Sequence, residues 1–211
     1  MDVVEKTIHS YNKIATKYCK KTRINKFIEW ERKYLHKLIS YISKNTPFIL
    51  DIGCGDGRHC KIIEESGGKA IGIDFSSSML EEAKNYYPKG NFQLMDMRKL
   101  RFENNIFDGI WISGCIYHIP KSEIVNLIKE FQRVLKVKGV VSLNFKLGTG
   151  EGMEENPKSY PGFPRYFAYY SKEEMNNIFN RLDFKELEST TFPEEIFGDK
   201  IQQMWFRLKT K

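Results

Sequence analysis

The sequence predicts an α/β fold in which a mostly parallel sheet carries helices on both faces. Between residues 48 and 145, short apolar runs alternate with amphipathic segments of helical length. Strands joined in this way run parallel, because each connection has to cross back over the sheet. The chain of 211 residues is 41% hydrophobic and 14% aromatic, which is enough for one well-buried domain of this class.

Two amphipathic helices are predicted ahead of the sheet. Apolar residues recur at spacings of three and four from Val4 to Tyr18, and again from Phe27 to Tyr41. The formal charge of +7 also lies here, because residues 1–45 hold 11 basic and four acidic side chains and the rest of the chain holds 23 of each sign. We therefore expect a helical cover, residues 1–45, that forms one structural unit with a sheet domain, residues 46–211.

The elements of the sheet domain follow in order along the chain. The predicted strands are 48–52, 69–74, 92–94, 107–113 and 140–145. Three helices are predicted between them: one that follows the first strand and ends near residue 65, one over 76–86 and one over 122–135. Residues 148–170 hold four glycines, three prolines and six aromatic residues, a mixture typical of an ordered cap loop. Ser171-x-x-Glu174 has the form of a capping box that opens a helix to about residue 181, and strands 184–191 and 201–208 complete the pattern.

Several classes of protein are excluded by composition. The longest stretch without a charged residue, 109–120, is far shorter than the roughly 20 residues of a membrane-spanning helix. The first ten residues include acidic side chains, whereas an export signal begins with a cationic segment that is followed by an apolar one. The four cysteines show neither disulfide nor metal-ligand spacing. We expect a cytoplasmic protein with reduced thiols, no metal site and no membrane partner.

A glycine-rich turn follows the first strand and precedes a helix. Its glycines allow a ligand to lie against bare backbone, and they stand at alternate positions: Gly53, Gly55 and Gly57. Asp74 ends the next strand, where a carboxylate can accept both hydroxyls of a ribose. Arg58 occupies the position of the third glycine in a dinucleotide-binding turn, and Asp51 adds negative charge where a pyrophosphate would need neutralising. A nucleoside joined to an amino acid fits this turn better than one joined to phosphates.

The order of motifs resembles the class I S-adenosylmethionine-dependent methyltransferases. ILDIGCGDGRHC (49–60) and AIGIDFSSSMLEEA (70–83) are similar to the family's first two motifs, and QLMDMR (93–98) is similar to its acidic adenine-binding turn. Residues 105–120 resemble the family's fourth strand and the loop that follows it. Residues 128–139 resemble the family's E-x-x-R-V-L-K-P-G-G motif, with Val137 and Lys138 in place of Pro-Gly. The resemblance implies a doubly wound, Rossmann-like seven-stranded sheet whose last strand is antiparallel.

The resemblance also implies a site for S-adenosylmethionine, with S-adenosylhomocysteine as the product. In the family's pattern Asp51 meets the methionine ammonium, Asp74 the ribose hydroxyls and Asp96 the adenine amino group. Tyr11 belongs to an N-terminal aromatic motif that closes over the cofactor in many relatives. The implied cofactor-binding residues are Tyr11, Asp51, Gly53, Cys54, Gly55, Gly57, Asp74, Phe75, Met79, Asp96, Met97, Ser113 and Gly114.

Methyl transfer is an in-line displacement, so alignment of donor and acceptor can contribute about 7 to 11 kcal/mol in favourable cases. If the acceptor has a proton to lose, His118, next to Tyr117, is the leading candidate base because imidazole titrates near neutrality. The alternative is that His118 orders its loop. We expect aromatic residues to form the acceptor pocket or, equally, a satellite core under the cap; the candidates are Tyr18, Tyr166, Tyr169 and Tyr170.

Two acceptor classes stay open. A small molecule is favoured because little of the chain lies outside the catalytic core, the cover and the cap. RNA is the weaker alternative: the segment from Tyr11 to Arg23 is similar to the start of tRNA wobble-uridine methyltransferases, and basic residues there could grip phosphates, namely Lys17, Lys20, Lys21, Arg23 and Lys26. A third class, a non-catalytic cofactor-binding protein, is disfavoured by the intact glycine turn. The sequence does not predict an oligomeric state.

Overall fold

A seven-stranded sheet forms the centre of the protein. The computed structural model describes residues 2–155, 160–194 and 200–209, with the side chains of 25–27 left out. The strands are β1 (Phe48–Ile52), β2 (Lys69–Asp74), β3 (Phe92–Leu94), β4 (Phe107–Ile112), β5 (Leu135–Lys146), β6 (Glu151–Glu154), β7 (Arg165–Ala168), β8 (Phe184–Phe192) and β9 (Ile201–Leu208). The helices are α1 (Val3–Thr22), α2 (Asn25–Tyr41), α3 (Arg58–Glu65), α4 (Ser77–Tyr86), α5 (Ile124–Val134) and α6 (Lys172–Arg181).

The strand order is β3-β2-β1-β4-β5-β9-β8. The first five of these strands pair in parallel, and β9 is antiparallel to both of its neighbours. Ile52 at the end of β1 pairs with Ile73 of β2 and with Ile112 of β4. The turns that follow these three strands therefore meet at one edge of the sheet. The predicted fold class, including the antiparallel last strand, is confirmed.

Both faces of the sheet are covered, which explains the continuous apolar runs of the central strands. All six residues of β4 are buried. Because side chains alternate along a strand, Ile110 and Ile112 join the core that includes Phe131 of α5, whereas Trp111 joins the opposite core with Leu35 of α2. Within the described residues no helix is long and apolar enough to cross a membrane.

The two predicted N-terminal helices pack directly on the sheet domain. In α1, Tyr11, Ile14 and Cys19 are buried in a small cluster with Met79 of α4 and Tyr160. The helix also contacts β7. In α2, Leu35 and Leu38 are fully buried against the sheet. The cover is therefore part of the hydrophobic core and contacts the edge of the sheet at which the turns meet.

The predicted cap loop is partly wrong, because this segment contains a two-stranded hairpin. Strand β6 pairs with β7 in antiparallel register, with Met153 opposite Tyr166. The strands have only four residues each, and prolines at 161 and 164 hide the period of two in the sequence. Residues 156–159 of the predicted cap lie outside the described residues.

The last parallel strand begins earlier than predicted. Strand β5 starts at Leu135 rather than at residue 140, and its register against β4 shifts between Phe107 and Gly109. Lys138 has a φ of 65°, the left-handed conformation that favours glycine. The family motif that this segment resembles has glycine at this position. Lys138 therefore keeps the local backbone shape without the residue best suited to it.

Candidate active site

The glycine turn forms the floor of a cavity at the carboxyl edge of β1, β2 and β4. Gly53 and Gly57 have φ angles of 68° and 76°, and a Cβ atom at either would lie within 2.5 Å of a neighbouring side chain. These two glycines are needed for packing. Gly55 has a φ of 53°, but a Cβ atom there would meet nothing within 4 Å. Bare backbone at Gly55 therefore faces open space.

Asp74 is held beside this turn by backbone donors. Its Oδ2 accepts from the Gly55 amide at 3.0 Å, and its Oδ1 accepts from the Ser76 amide at 2.8 Å. The side chain lines the cavity although the residue is only 8% exposed. Burial raises the pKa of this carboxyl to about 6, against the opposing effect of the two amides. At pH 7 and above Asp74 is thus an ionised acceptor in the wall of the cavity.

Most of the sequence-predicted cofactor residues come together around the first cavity. Those that line it are Tyr11, Gly53, Cys54, Gly55, Asp74, Phe75, Met79, Ser113 and Gly114. Cys54 and Cys115 are buried there, and burial is the main reason that both thiol pKa values are raised well above normal. Both cysteines act as small wall residues, in agreement with their unreactive sequence context.

Four predicted contacts depart from this arrangement. Asp51 is fully buried behind the turn, because alternation along β1 directs it toward Cys60 of α3. Asp96 is engaged through both carboxylate oxygens by the guanidinium of Arg98. Met97 belongs to the main hydrophobic core, and Gly57 packs against Phe92. These residues support the walls of the first cavity but are not among those that line it.

A second cavity of about 270 Å³ adjoins the first. The two share walls formed by Tyr11, Tyr18, Arg58, Ser113 and Gly114. The second adds aromatic walls from Trp30, Tyr117, Tyr160 and Phe167. It also adds polar and basic groups: Lys21, Asn144, Lys146 and Arg165. The cavity beside the glycine turn therefore lies directly against an aromatic cavity that is lined by several basic groups.

The chain is similar in sequence to known methyltransferases. A family profile described as a methyltransferase domain matches residues 49–139. A ubiquinone/menaquinone biosynthesis C-methyltransferase of Campylobacter jejuni strain 81116 is 32% identical over 222 aligned positions, which cover 88% of this chain and 94% of that protein. The chain belongs to the class I S-adenosylmethionine-dependent methyltransferases. Against the homologous proteins of three other C. jejuni strains the match spans 63% of their length.

Other relatives of this methyltransferase have different named substrates. A demethylmenaquinone methyltransferase of Staphylococcus aureus is 30% identical, with 86% of this chain and 76% of that protein covered. A tRNA U34 carboxymethyltransferase of Aliarcobacter butzleri is 26% identical, with 76% and 55% covered. The structure of the 1,6-didemethyltoxoflavin-N1-methyltransferase of Burkholderia thailandensis, with bound S-adenosylhomocysteine, superposes with a TM-score of 0.76 at 15% identity, covering 98% of this chain and 88% of that one. The last comparison shows the shared fold.

The lining of the first cavity offers groups that suit separate parts of the family's cofactor, S-adenosylmethionine. The open space over Gly55 suits a ligand that lies on the backbone. The ionised Asp74 carboxylate can accept from ribose hydroxyls, and Phe75 and Met79 offer apolar walls to a base. The sequence motifs and the geometry therefore agree on the type of ligand.

An ion network fixes the cover to the glycine turn. Arg58 donates to both carboxylate oxygens of Glu31 in α2, each at 2.7 Å, and to Asp56 in the turn at 3.1 Å. His59 lies between Glu31 and Asp51, at 3.2 and 3.7 Å. Burial alone would lower the pKa of His59, but the two carboxylates raise it to about 9. His59 is therefore an imidazolium at neutral pH.

His118 is buried between two hydrogen-bond partners, as in the predicted alternative to a catalytic base. Its Nδ1 lies 2.7 Å from the Tyr166 carbonyl oxygen, which can only accept, so Nδ1 carries the proton. Its Nε2 accepts from the Tyr11 hydroxyl at 2.8 Å. Burial lowers the pKa of His118 to about 3. Neutral His118 thus orients Tyr11 and lines the first cavity, whereas Tyr117 lines the second.

The structure places the predicted acceptor-pocket tyrosines in different surroundings. Tyr18 lines both cavities, as expected. Along β7, side chains alternate, so that Arg165 and Phe167 line the second cavity and Tyr166 joins the core. Tyr170 is also buried in that core. The hydroxyl of Tyr169 contacts Glu154 of β6, and Tyr166, Tyr169 and Tyr170 are not among the residues that line either cavity.

Asn144 and Arg165 are among the wall residues that the sequence did not predict. Asn144 accepts from the Gly114 amide at 2.8 Å and donates to the Ser113 hydroxyl at 2.9 Å, so it positions the turn after β4. Its signal was an amide within an otherwise apolar strand. Arg165 lies on the hairpin strand β7, where the alternation of Arg-Tyr-Phe-Ala was the signal.

Proposed function

We propose that this methyltransferase transfers a methyl group from S-adenosylmethionine to a small molecule bound in the second cavity. The observation that carries the proposal is that the two cavities are adjacent and share wall residues, among them Tyr11 and Gly114. A volume of about 270 Å³ suits a small organic acceptor. The relatives named for quinone methylation support this class of acceptor.

S-adenosylmethionine supplies an electrophilic methyl group on a sulfonium, so the acceptor's lone pair forms the new bond while sulfur keeps the electron pair of the broken bond. In our proposal the backbone of Gly53 and Gly55 holds the methionine part and Asp74 holds the ribose. Phe75 and Met79 contact the base. Asp51 and Asp96 act indirectly, through the packing of the turn and through Arg98.

The aromatic walls of the second cavity would exclude water and align the acceptor. Tyr117 stacks on Phe167 with ring centroids 5.7 Å apart, which forms a flat wall beside Gly114. Alignment in such a site supplies much of the acceleration that a displacement needs. We propose that Tyr11, held by neutral His118, closes the boundary between the two cavities. Any catalytic proton transfer by His118 would have to pass through the Tyr11 hydroxyl.

The RNA alternative rests on the basic N-terminal segment and on the A. butzleri relative. The structure supports it less well, because Arg23 pairs with Asp56 at 2.6 Å instead of facing outward alone. Lys17 and Lys21 have their ammonium groups 6.0 and 5.4 Å from the ring centroid of Tyr160. The side chain of Lys26 lies outside the described part of the chain. We propose that residues 1–45 cover the cofactor, and that the protein acts in the cytoplasm.

The experiment incubates the protein with S-adenosylmethionine labelled in the methyl group and with either bulk tRNA or the small-molecule fraction of a cell extract. We expect label to enter the small-molecule fraction and tRNA to stay unlabelled. A Gly53→Ala variant, whose new Cβ atom would lie 2.5 Å from the Cys115 sulfur, should label neither.

Labelling of tRNA would contradict the small-molecule proposal. The result would be decisive if tRNA binding fell steeply between low and moderate salt and if Lys17→Glu, Lys20→Glu and Lys21→Glu together removed it, since phosphate contacts release counterions. Absence of label from both fractions would contradict methyl transfer itself.

A further inference from the structure

Arg165 is a buried arginine without a carboxylate partner. It lies on β7, is 6% exposed and lines the second cavity. Its Nη1 donates to the Tyr11 hydroxyl at 3.4 Å, and its Nε has no hydrogen-bond partner. Within residues 2–155, 160–194 and 200–209 no carboxylate pairs with it, and the groups that act on it electrostatically are tyrosines.

Such a charge is costly to bury, because an ion removed from water loses several kcal/mol of solvation unless a partner compensates. The guanidinium carbon lies 5.2 to 5.6 Å from the ring centroids of Tyr11, Tyr160 and Phe167. These ring faces compensate part of the charge. They leave the donor edge of the guanidinium without an anion.

A second polar group in the same wall is also unsatisfied. The hydroxyl of Tyr160 is buried, with the residue 3% exposed, and has no hydrogen-bond partner. Tyr160 and Arg165 both line the second cavity. Two unsatisfied buried donors on adjoining walls of one cavity indicate a ligand that accepts hydrogen bonds there.

The other charges of the cavity favour the same kind of ligand. Its basic wall residues are Lys21, Arg58, Lys146 and Arg165, and its acidic wall residue is Glu31. Glu31 is already neutralised by bidentate pairing with Arg58. Apart from that pair, Lys21 and Arg165 are cationic groups in the wall, and the planar guanidinium of Arg165 matches the two oxygens of a carboxylate or phosphate group.

We propose that the methyl acceptor is a small organic anion with an apolar body, and that Arg165 and Tyr160 bind its carboxylate or phosphate group. The apolar body lies against Tyr117 and Phe167, and the methylated atom is a different part of the molecule that faces Gly114. This inference rests on the proposed function, since it concerns the acceptor of the same reaction. The anionic group serves as an anchor and keeps its charge in the product.

The experiment uses the labelled small-molecule product described above and passes it over an anion exchanger at pH 7. We expect the label to be retained. Release at pH 2.5 identifies a carboxylate, and retention at pH 2.5 followed by release after phosphatase treatment identifies a phosphate. Label in the flow-through at pH 7 would overturn the inference while leaving methyl transfer intact, whereas absence of any label would refute the proposed function instead.

Variants test the residue itself. Arg165→Gln should raise the KM for the retained acceptor by about 10- to 100-fold, as expected for the loss of a charge-assisted contact, and should leave S-adenosylhomocysteine binding within about twofold of wild type. Arg165→Lys should recover part of the loss. Arg32→Gln removes an exposed positive charge that pairs with Glu65 and serves as the control.

An equal loss of S-adenosylhomocysteine binding in Arg165→Gln would overturn the inference, because Arg165 would then hold the cofactor. An unchanged KM for the acceptor would overturn it as well. A simple folding defect would lower kcat and cofactor binding together, so the split between KM and cofactor affinity identifies the anchor.

Discussion

The buried imidazolium of His59 should make the stability of this methyltransferase depend on pH. His59 is 4% exposed and lies between Glu31 from α2 and Asp51 from β1, with the ring of Trp111 from β4 at 5.6 Å. Its ring nitrogens make no aligned hydrogen bond, so the two carboxylates act on it through charge. Loss of the proton from His59 would remove the positive charge that lies between the carboxylates of Glu31 and Asp51.

The size of the effect follows from the pKa of His59, which is about 9 in the folded protein against 6.5 for an ordinary histidine. A raised pKa stabilises the folded state fully below pH 6.5, and the contribution is lost as pH rises through 9. The difference corresponds to about 3 kcal/mol. Between pH 6 and pH 9 most of this stabilisation should disappear.

Urea unfolding of wild type and of His59→Gln across this range measures the effect. We expect the difference in unfolding free energy between the two proteins to fall from about 3 kcal/mol at pH 6 to below about 1 kcal/mol at pH 9. The buried cysteines also destabilise the protein at alkaline pH, but equally in both variants. His36→Gln, at an exposed histidine of α2, should show no such trend. A pH-independent difference for His59→Gln would refute the proposed charge network.

Three further predictions concern Gly55, Lys138 and Tyr11, with Gly67→Ala as the control for the first. Gly55→Ala and Gly67→Ala both force alanine to a positive φ, so each should lower the unfolding free energy in urea by about 1–2 kcal/mol. Only Gly55→Ala should weaken binding of S-adenosylhomocysteine in calorimetry. Equal binding by the two variants would mean that Gly55 does not contact the cofactor. Lys138→Gly should raise the unfolding free energy by up to about 1 kcal/mol, because glycine suits its φ of 65°, and a loss of stability would contradict this. Tyr11→Phe leaves Nε2 of buried His118 unpaired and should cost about 1–3 kcal/mol in the same assay, so an unchanged value would argue against that hydrogen bond.

The fold could be predicted because its signals are local and periodic. Apolar runs located β1, β2 and β4 within a residue or so, and Ser171 caps α6 as its motif predicted, with its hydroxyl accepting from the Glu174 amide at 2.9 Å. The hairpin of β6 and β7 was missed, because a strand of four residues beside prolines has too few positions to show its period.

The floor of the candidate site could be predicted better than its walls. Glycine spacing and Asp74 locate the cofactor cavity because backbone geometry limits which residues can occupy a turn. The direction of a side chain on a short strand depends on register, so the sequence did not distinguish Arg165 from Tyr166. Similarly, Asp96 was assigned a ligand role, although Arg98 two residues later engages it.

The central claim, that the glycine turn and Asp74 hold S-adenosylmethionine, is tested most directly by calorimetry with S-adenosylhomocysteine. Asp74→Asn should weaken binding by about 100-fold, because two charge-assisted hydrogen bonds to the ribose are lost. Asp108→Asn is the matched control: Asp108 also accepts from a backbone amide, that of Phe48 at 2.9 Å, but it pairs with Lys44 and Lys136 away from the cavity. Binding of S-adenosylhomocysteine should be unchanged in Asp108→Asn. Equal affinity in wild type and Asp74→Asn would contradict the central claim.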